Sequence, residues 1–153
     1  MSQKKTIWII NQYASTPNTG FIGRHYYLAQ ELADLGHKVY VVSASYTHSQ
    51  SNPVSFEGDY KFEDFGDNFK FLWLKTPVYQ KSTSKRRVLN WFEFGWKIKG
   101  LNKIIKDKPD VILYSSLSLV GFLGAERLAK KNKVPLIFEV RDIWPLSLIE
   151  IGG

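Results

Sequence analysis

The sequence predicts a doubly wound, mainly parallel α/β sheet of the Rossmann-like kind, and three observations predict it. Apolar runs of strand length alternate with helix-periodic segments along all 153 residues, the pattern of a parallel sheet with helices on its faces. The run Val39-Tyr40-Val41-Val42 is apolar or aromatic throughout, as a strand covered on both faces must be. Residues 7–43 read as one complete βαβ unit, for which a right-handed crossover is nearly universal.

The elements follow in order. Strand 7–11 (Ile-Trp-Ile-Ile-Asn) leads into a loop of twelve residues, from Gln12 to Gly23, where such connections usually take two to six. Loops at the carboxyl ends of parallel strands hold ligands, so this loop, with Gly20 and Gly23, is read as a binding element. The next helix begins at Arg24; Tyr27, Leu28, Leu32 and Leu35 recur at helical spacing, and Gly36 supplies the left-handed stop. Strand 38–43 follows. Residues 44–68 are polar and irregular, with Asn52-Pro53 and five acidic residues, and read as a long loop with room for a short hairpin. Strand 69–75 closes at Thr76-Pro77, and 79–87 is a basic linker. Residues 88–106 are helical, with Trp91, Phe94, Ile98, Leu101 and Ile105 as the buried stripe. Strand 111–114, helix 117–131 and strand 136–140 complete five strands, and residues 141–153 begin a new element. Ending on Gly152-Gly153, the chain reads as the front part of something longer.

Composition narrows the function classes. With 44% apolar and 23% charged residues the chain is an ordinary globular domain. It has no cysteine, which rules out disulfides and thiolate metal sites and fits a reducing cytosol. No run approaches the roughly 20 apolar residues of a membrane span. The charge is uneven: between Lys81 and Lys108 nine basic residues against two acidic ones carry +7, the formal charge of the whole chain. Any electrostatic partner is met there.

Several chemistries are disfavoured. A dinucleotide fingerprint needs glycines directly after the first strand and an acid after the second; here Gly20 and Gly23 lie far from the strand, and Ser43-Ala44-Ser45 ends the second. No phosphate loop and no Gly-x-Ser-x-Gly elbow occurs. His25, His37 and His48 lack ligand spacing, so no metal site is expected. The carboxylates between Glu57 and Asp67 lie on irregular chain and read as solvated rather than as a glycosidase pair.

Two stretches carry a resemblance. Gly23-Arg24-His25-Tyr26-Tyr27-Leu28-Ala29-Gln30-Glu31-Leu32, followed by Leu35-Gly36-His37-Lys38-Val39, resembles the N-terminal domain of glycosyltransferase family 4. Pro109-Asp110-Val111-Ile112, the helix 119–129 and the run from Val134 to Pro145 agree in order and spacing. The Arg141-Asp142-Ile143-Trp144-Pro145 tail is similar to the subgroup that builds bacterial surface polysaccharides (O-antigen and capsule), including fucosamine transferases. The resemblance implies a GT-B fold and a retaining transferase. Its N-terminal domain binds the acceptor, and a C-terminal domain, missing from this chain, binds a UDP- or GDP-sugar. It implies no cofactor in this domain, a glycan or lipid-linked sugar as acceptor, and an inactive fragment in isolation. The location it implies is cytoplasmic, peripheral at the inner face of the plasma membrane.

Candidate roles follow residue by residue. Gly20 and Gly23 stand at the family's glycine-rich loop, where backbone amides approach a ligand; an ordinary turn before a helix is the competing reading. Arg24 and His25 open the helix, facing either the cleft or solvent. Ser115 and Ser116 end the fourth strand and either contact acceptor hydroxyls or cap the next helix. Glu139 and Arg141, two apart, share a strand face. Arg141 stands where many family members have a histidine; arginine cannot serve as a base but stabilises a departing phosphate. Arg141 and Asp142 are the catalytic candidates, and Trp144 either stacks on a sugar or is buried.

The basic segment supports a separate expectation. Lys85, Arg86, Arg87, Trp91, Phe92 and Trp96 would face an anionic membrane, each basic residue contributing about 1 kcal/mol; the alternative is a stripe packed on the sheet with lysines in water. A stand-alone flavodoxin-like binding module and a nucleic-acid binder using Lys81–Lys108 are the rival functions, though no nucleic acid is expected.

Overall fold

The computed structural model describes residues 3–20, 23–47, 50–79, 85–116 and 118–140. The chain runs β1 (Thr6–Ile10), α1 (Arg24–Asp34), β2 (Lys38–Ala44), β3 (Tyr60–Asp64), β4 (Phe69–Leu74), α2 (Lys85–Ile98), α3 (Leu101–Ile104), β5 (Val111–Tyr114), α4 (Leu119–Asn132) and β6 (Leu136–Phe138). The sheet has the order β3-β4-β2-β1-β5-β6. All neighbours are parallel except β3 and β4, which form an antiparallel edge hairpin. The fold is α/β and Rossmann-like, as the sequence predicts.

Strand parity divides the core in two. Trp8, Ile10, Tyr40, Val42, Leu72, Leu74, Ile112 and Tyr114 point to one face, where Phe94 and Ile98 of α2, Leu101, Ile105 and Leu128 of α4 meet them. Ile9, Val39, Val41, Phe69, Phe71 and Trp73 point to the other, under Ala29 of α1 and the partly buried Tyr26, Leu32, Val54 and Phe65. Because every central strand is buried on both faces, its residues are apolar without alternation.

The topology positions the site. From β1 the chain moves one way to β2 and β4, then returns to place β5 on the opposite side of β1. The carboxyl ends of β1 and β5 therefore flank a switch point, where open α/β sheets bind ligands.

Two expectations need correction. Within the stretch read as a long loop with room for a short hairpin, residues 60–64 form an edge strand, because Tyr60–Asp64 pairs in register with Phe69–Leu74 across a turn; the sheet has six strands among the described residues rather than five. The helix expected over 88–106 breaks after Ile98, and Lys103 N–H bonds Gly100 instead of continuing the ladder. The helical spacing of Tyr27, Leu28, Leu32 and Leu35 marks α1 but not its buried face: Tyr27, Leu28 and Leu35 are exposed, and the helix turns His25 and Ala29 inward. Gly36 does take the left-handed conformation, at φ +87°.

Candidate functional site

The long loop after β1 is folded onto the sheet rather than open. Asn11 N–H bonds Val42 O at 3.0 Å, and Asn11 Oδ1 accepts from Tyr13 N–H at 2.8 Å, an Asx turn. Ser43 Oγ donates to Gln12 O and Ala14 O. Spending Oδ1 in the turn fixes the Asn11 amide so that its NH2 faces His25.

From there a buried polar relay crosses the switch point. Asn11 Nδ2 lies 3.0 Å from His25 Nδ1, and His25 Nε2 lies 2.9 Å from Ser115 Oγ. Ser115 Oγ–H donates to Glu139 Oε2 at 2.5 Å, and the other carboxylate oxygen pairs with Arg24. One proton assignment satisfies every member: Nδ1 accepts from Asn11, Nε2–H donates to Ser115, and Ser115 donates to Glu139. His25 is 3% exposed and Ser115 0%, while Arg24 and Glu139 side chains are 53% and 32% exposed. The interior of the relay is thus structural, and its outer end is a presented Arg–Glu pair. In a hydrolytic triad histidine stands between serine and carboxylate. Here serine stands in the middle and its proton is committed to Glu139, so the cluster is no nucleophile.

The Arg24 hydrogen bond holds the Glu139 carboxyl below its usual value, against partial burial that raises it, and the Ser115 bond assists. At neutral pH Glu139 is an ionised acceptor. Beside the pair lies a cavity of roughly 480 Å³ lined by Arg24, Leu28, Leu113, Ile137, Phe138 and Glu139. Four of the six lining residues are apolar, and Arg24 and Glu139 add one donor group and one acceptor group.

A second buried knot adjoins the first. Gln12 Nε2 donates to Asn90 Oδ1 at 2.6 Å, Asn90 Nδ2 donates to Pro77 O at 2.9 Å, and Trp91 Nε1 donates to Tyr13 OH at 2.8 Å. It fastens α2 to the end of β1. Gln12 Oε1 is buried without a hydrogen-bond partner.

The predicted site residues divide as follows. Arg24 and His25 of α1 come together with Ser115 after β5 and Glu139 after β6, about ninety residues or more away in sequence. Ser116 is buried beside them, but neither serine caps α4, whose cap is Ser118, accepting from Gly121 N–H at 3.3 Å. Gly20, at φ +85°, closes the 3₁₀ turn Pro17–Thr19, with its N–H on Pro17 O. Gly23 has an ordinary φ of −79° and gives its N–H to Ser15 Oγ. Both glycine amides are therefore spent within the loop. Arg141, Asp142 and Trp144 lie outside the described residues. Among the membrane-facing candidates Lys85, Arg86, Phe92 and Trp96 are exposed. Trp91 and Arg87 are partly buried: Trp91 donates to Tyr13 OH, and the Arg87 guanidinium lies 5.1 Å from the centre of its ring. Sequence reasoning missed Asn11, Gln12 and Asn90 as members of the network. The available signal was a polar pair, Asn11-Gln12, directly at the end of an otherwise apolar strand. Among the described residues no group of three His, Cys, Asp or Glu is placed to hold a metal, and no helix is long and apolar enough to cross a membrane.

No protein-family model matches the chain, and no curated protein sequence is significantly similar to it. Solved structures do share its fold. The catalytic domain of starch synthase IV from Arabidopsis thaliana, bound to ADP and acarbose, superposes with a TM-score of 0.58 at 16% identity, over 89% of this chain and 34% of that one. The C-terminal domain of a hydrogenase from Pyrococcus furiosus superposes with a TM-score of 0.56 at 13% identity, over 90% of this chain and 93% of that one. At these identities the likeness is one of fold. The chain spans about a third of the starch synthase catalytic domain.

Proposed function

We propose that this chain is the acceptor-side domain of a GT-B glycosyltransferase that moves a sugar from a UDP- or GDP-sugar, with retention, to a glycan or lipid-linked acceptor in surface-polysaccharide assembly. The observation that carries the reading is the Arg24–Glu139 pair, held by the buried relay beside a largely apolar cavity at the switch point. A sugar ring has an apolar face and a rim of hydroxyls. Phe138 and Ile137 offer the former a surface, the ionised Glu139 accepts from hydroxyls, and Arg24 donates to oxygens. The relay makes this inexpensive, because Ser115, His25 and Asn11 fix the carboxylate before the ligand arrives.

In this reading a second domain carries the nucleotide-sugar. The fold shared with one third of a starch synthase catalytic domain supports that division, as does the family resemblance. Arg141, two residues beyond Glu139, is the proposed stabiliser of the departing phosphate, and Asp142 a proposed contact to the acceptor.

Saturation-transfer NMR of the 153-residue chain with a panel of short oligosaccharides tests the reading. Binding of at least one glycan, weakened about tenfold, a loss of about 1.4 kcal/mol, by both Arg24→Ala and Glu139→Gln, is expected. Free UDP and GDP should bind weakly or not at all. Tight binding of a nucleotide by this chain alone, or glycan binding indifferent to both substitutions, would overturn it.

The hydrogenase domain gives a second reading its one supporting observation, since nearly all of that separate domain matches this chain. A stand-alone binding module would show ligand affinity with no dependence on a sugar-nucleotide-binding partner domain.

A further inference from the structure

We propose that the cavity at the switch point selects an uncharged ring bearing adjacent hydroxyls, and that the Arg24–Glu139 pair works as a charge filter, turning away anionic and cationic substituents alike. The inference rests on the glycan reading of this cavity and narrows it to one class of ligand.

The lining sets the charge rule. Leu28, Leu113, Ile137 and Phe138 carry no charge, and Arg24 and Glu139 carry one each, of opposite sign. Because the two pair with each other, the wall of the cavity is neutral as a whole. His25 Nε2 lies 3.8 Å from Glu139 Oε2, and the proton assignment that satisfies the relay leaves the imidazole uncharged.

Each kind of ligand meets this wall differently. An anion reaching Arg24 would sit beside the Glu139 carboxylate, and like charges in one site oppose each other. To bind, it must displace Glu139 from Arg24, leaving a partly buried carboxylate on Ser115 alone. An ammonium group meets the mirror-image problem at Arg24. A wholly apolar ligand would cover both charged groups without a hydrogen bond, which is costly. A hydroxyl suits both, since it has a proton to give and lone pairs to accept with.

Both partners keep capacity for such a ligand. Each Glu139 oxygen has one partner, Arg24 on Oε1 and Ser115 on Oε2, and an ionised carboxylate has a second lone pair on each oxygen. Arg24 gives one nitrogen, Nη2, to Glu139. Arg24 also holds the Glu139 carboxyl below its usual value, so Glu139 accepts and does not donate. Hydroxyl protons therefore turn to Glu139 and hydroxyl oxygens to Arg24, an order that two neighbouring hydroxyls on one ring satisfy together. Leu28 and Ile137, both exposed, offer the C–H face of that ring an aliphatic surface.

Titrations of the isotope-labelled chain, followed at the Leu28, Leu113 and Ile137 amides by NMR, test the assignment on one ring scaffold. The probes are cis- and trans-cyclohexane-1,2-diol, 2-methoxycyclohexanol, 2-aminocyclohexanol, 2-hydroxycyclohexanecarboxylate and inorganic phosphate. Saturable shifts with at least one diol are expected. The ether, the amine and the carboxylate should each bind about tenfold more weakly or worse, and phosphate should leave the three amides unmoved. Glu139→Gln should reverse the preference, weakening the diol and tightening the carboxylate about tenfold, because Arg24 is then unopposed. The probe series on the unmodified chain decides the matter even where that variant folds poorly. Binding of the carboxylate or phosphate as tight as the diol, an ether as good as the diol, or no saturable shift with either diol would each overturn the assignment. Oligosaccharide binding with the carboxylate preferred sinks the charge filter and spares the acceptor reading. Diol binding with every oligosaccharide inert sinks the acceptor reading and supports the filter.

Discussion

His25 and Ser115, ninety residues apart in sequence, share a buried hydrogen bond of 2.9 Å. It joins the first turn of α1 to the end of β5, the two elements on either side of the switch point. With the Ser115 N–H bond to Ile10 O at 3.0 Å, this contact ties α1 to the β1–β5 pair, and Glu139 is presented from that arrangement.

Removing the middle of the relay should cost more than one hydrogen bond. His25→Ala leaves the Asn11 NH2 and the Ser115 hydroxyl oxygen without their buried partner, and an orphaned buried group costs about 1–3 kcal/mol. Urea unfolding should show a loss in that range. Ser115→Ala strands the buried His25 Nε2–H, one orphan against two, and leaves Glu139 on Arg24, so its loss should be the smaller. A larger loss for Ser115→Ala than for His25→Ala would contradict the relay as assigned.

Acid stability follows from two carboxylates. Glu139 is held low chiefly by the Arg24 hydrogen bond, and Asp107 by hydrogen bonds from Lys38 and then Tyr40. A carboxyl lowered in the fold binds fewer protons there than in the unfolded chain. Its stabilisation is complete above the ordinary carboxylate value and is lost as pH falls through the lowered folded value. Melting temperature should be flat near neutrality and drop below about pH 4. Glu139→Gln and Asp107→Asn should each start lower and fall less steeply. Both side chains are a third or more exposed or nearly so, so each effect is modest.

Asn90 makes a contrasting case. It is buried on an otherwise apolar helix face and holds Gln12 and the Pro77 carbonyl together. Asn90→Ala should destabilise by about 1–3 kcal/mol, since it orphans the Gln12 NH2 beside an oxygen already unpartnered. Asn90→Asp, which keeps the acceptor but not the donor, should recover part of that loss if the Gln12 contact dominates. Urea midpoints of the two variants decide it.

How much of this was legible in the sequence depended on whether the signal was local. The order of strands and helices could be read because each central strand is buried on both faces and so is apolar without interruption, as in Val39 to Val42. The edge hairpin was legible only as room for one, because β3 is exposed and polar: Tyr60-Lys61-Phe62-Glu63-Asp64 alternates only weakly, and its pairing with β4 sets its conformation. The buried face of α1 was not legible for a related reason. Its exposed Tyr27, Leu28 and Leu35 outnumber the small Ala29 and the polar His25 that it buries, so periodicity pointed away from the core. Arg24, His25, Ser115 and Glu139 were each picked out singly. Their assembly was not visible, because it depends on β5 returning beside β1, and the Asn11 amide that anchors it looked like the last residue of a strand.

The α2–α4 crossing sets two effects of opposite sign against each other at Gly124. Glycine inside a helix costs about 1 kcal/mol relative to alanine, so Gly124→Ala should stabilise if propensity governs. The added Cβ, however, would meet Gly95 O at 2.5 Å and Ile98 Cβ at 3.4 Å. The first of these is a backbone atom, which cannot turn aside as a side chain can. Relief requires the helices to separate, at an overpacking cost of typically 1–3 kcal/mol. The clash should win by a small margin, giving a net loss of about 1 kcal/mol for alanine and a larger one for Gly124→Val, whose branched side chain forfeits the propensity gain as well. Guanidinium melts of the two variants measure this directly. A stabilised Gly124→Ala would mean that the helices do not approach as closely as the structure shows.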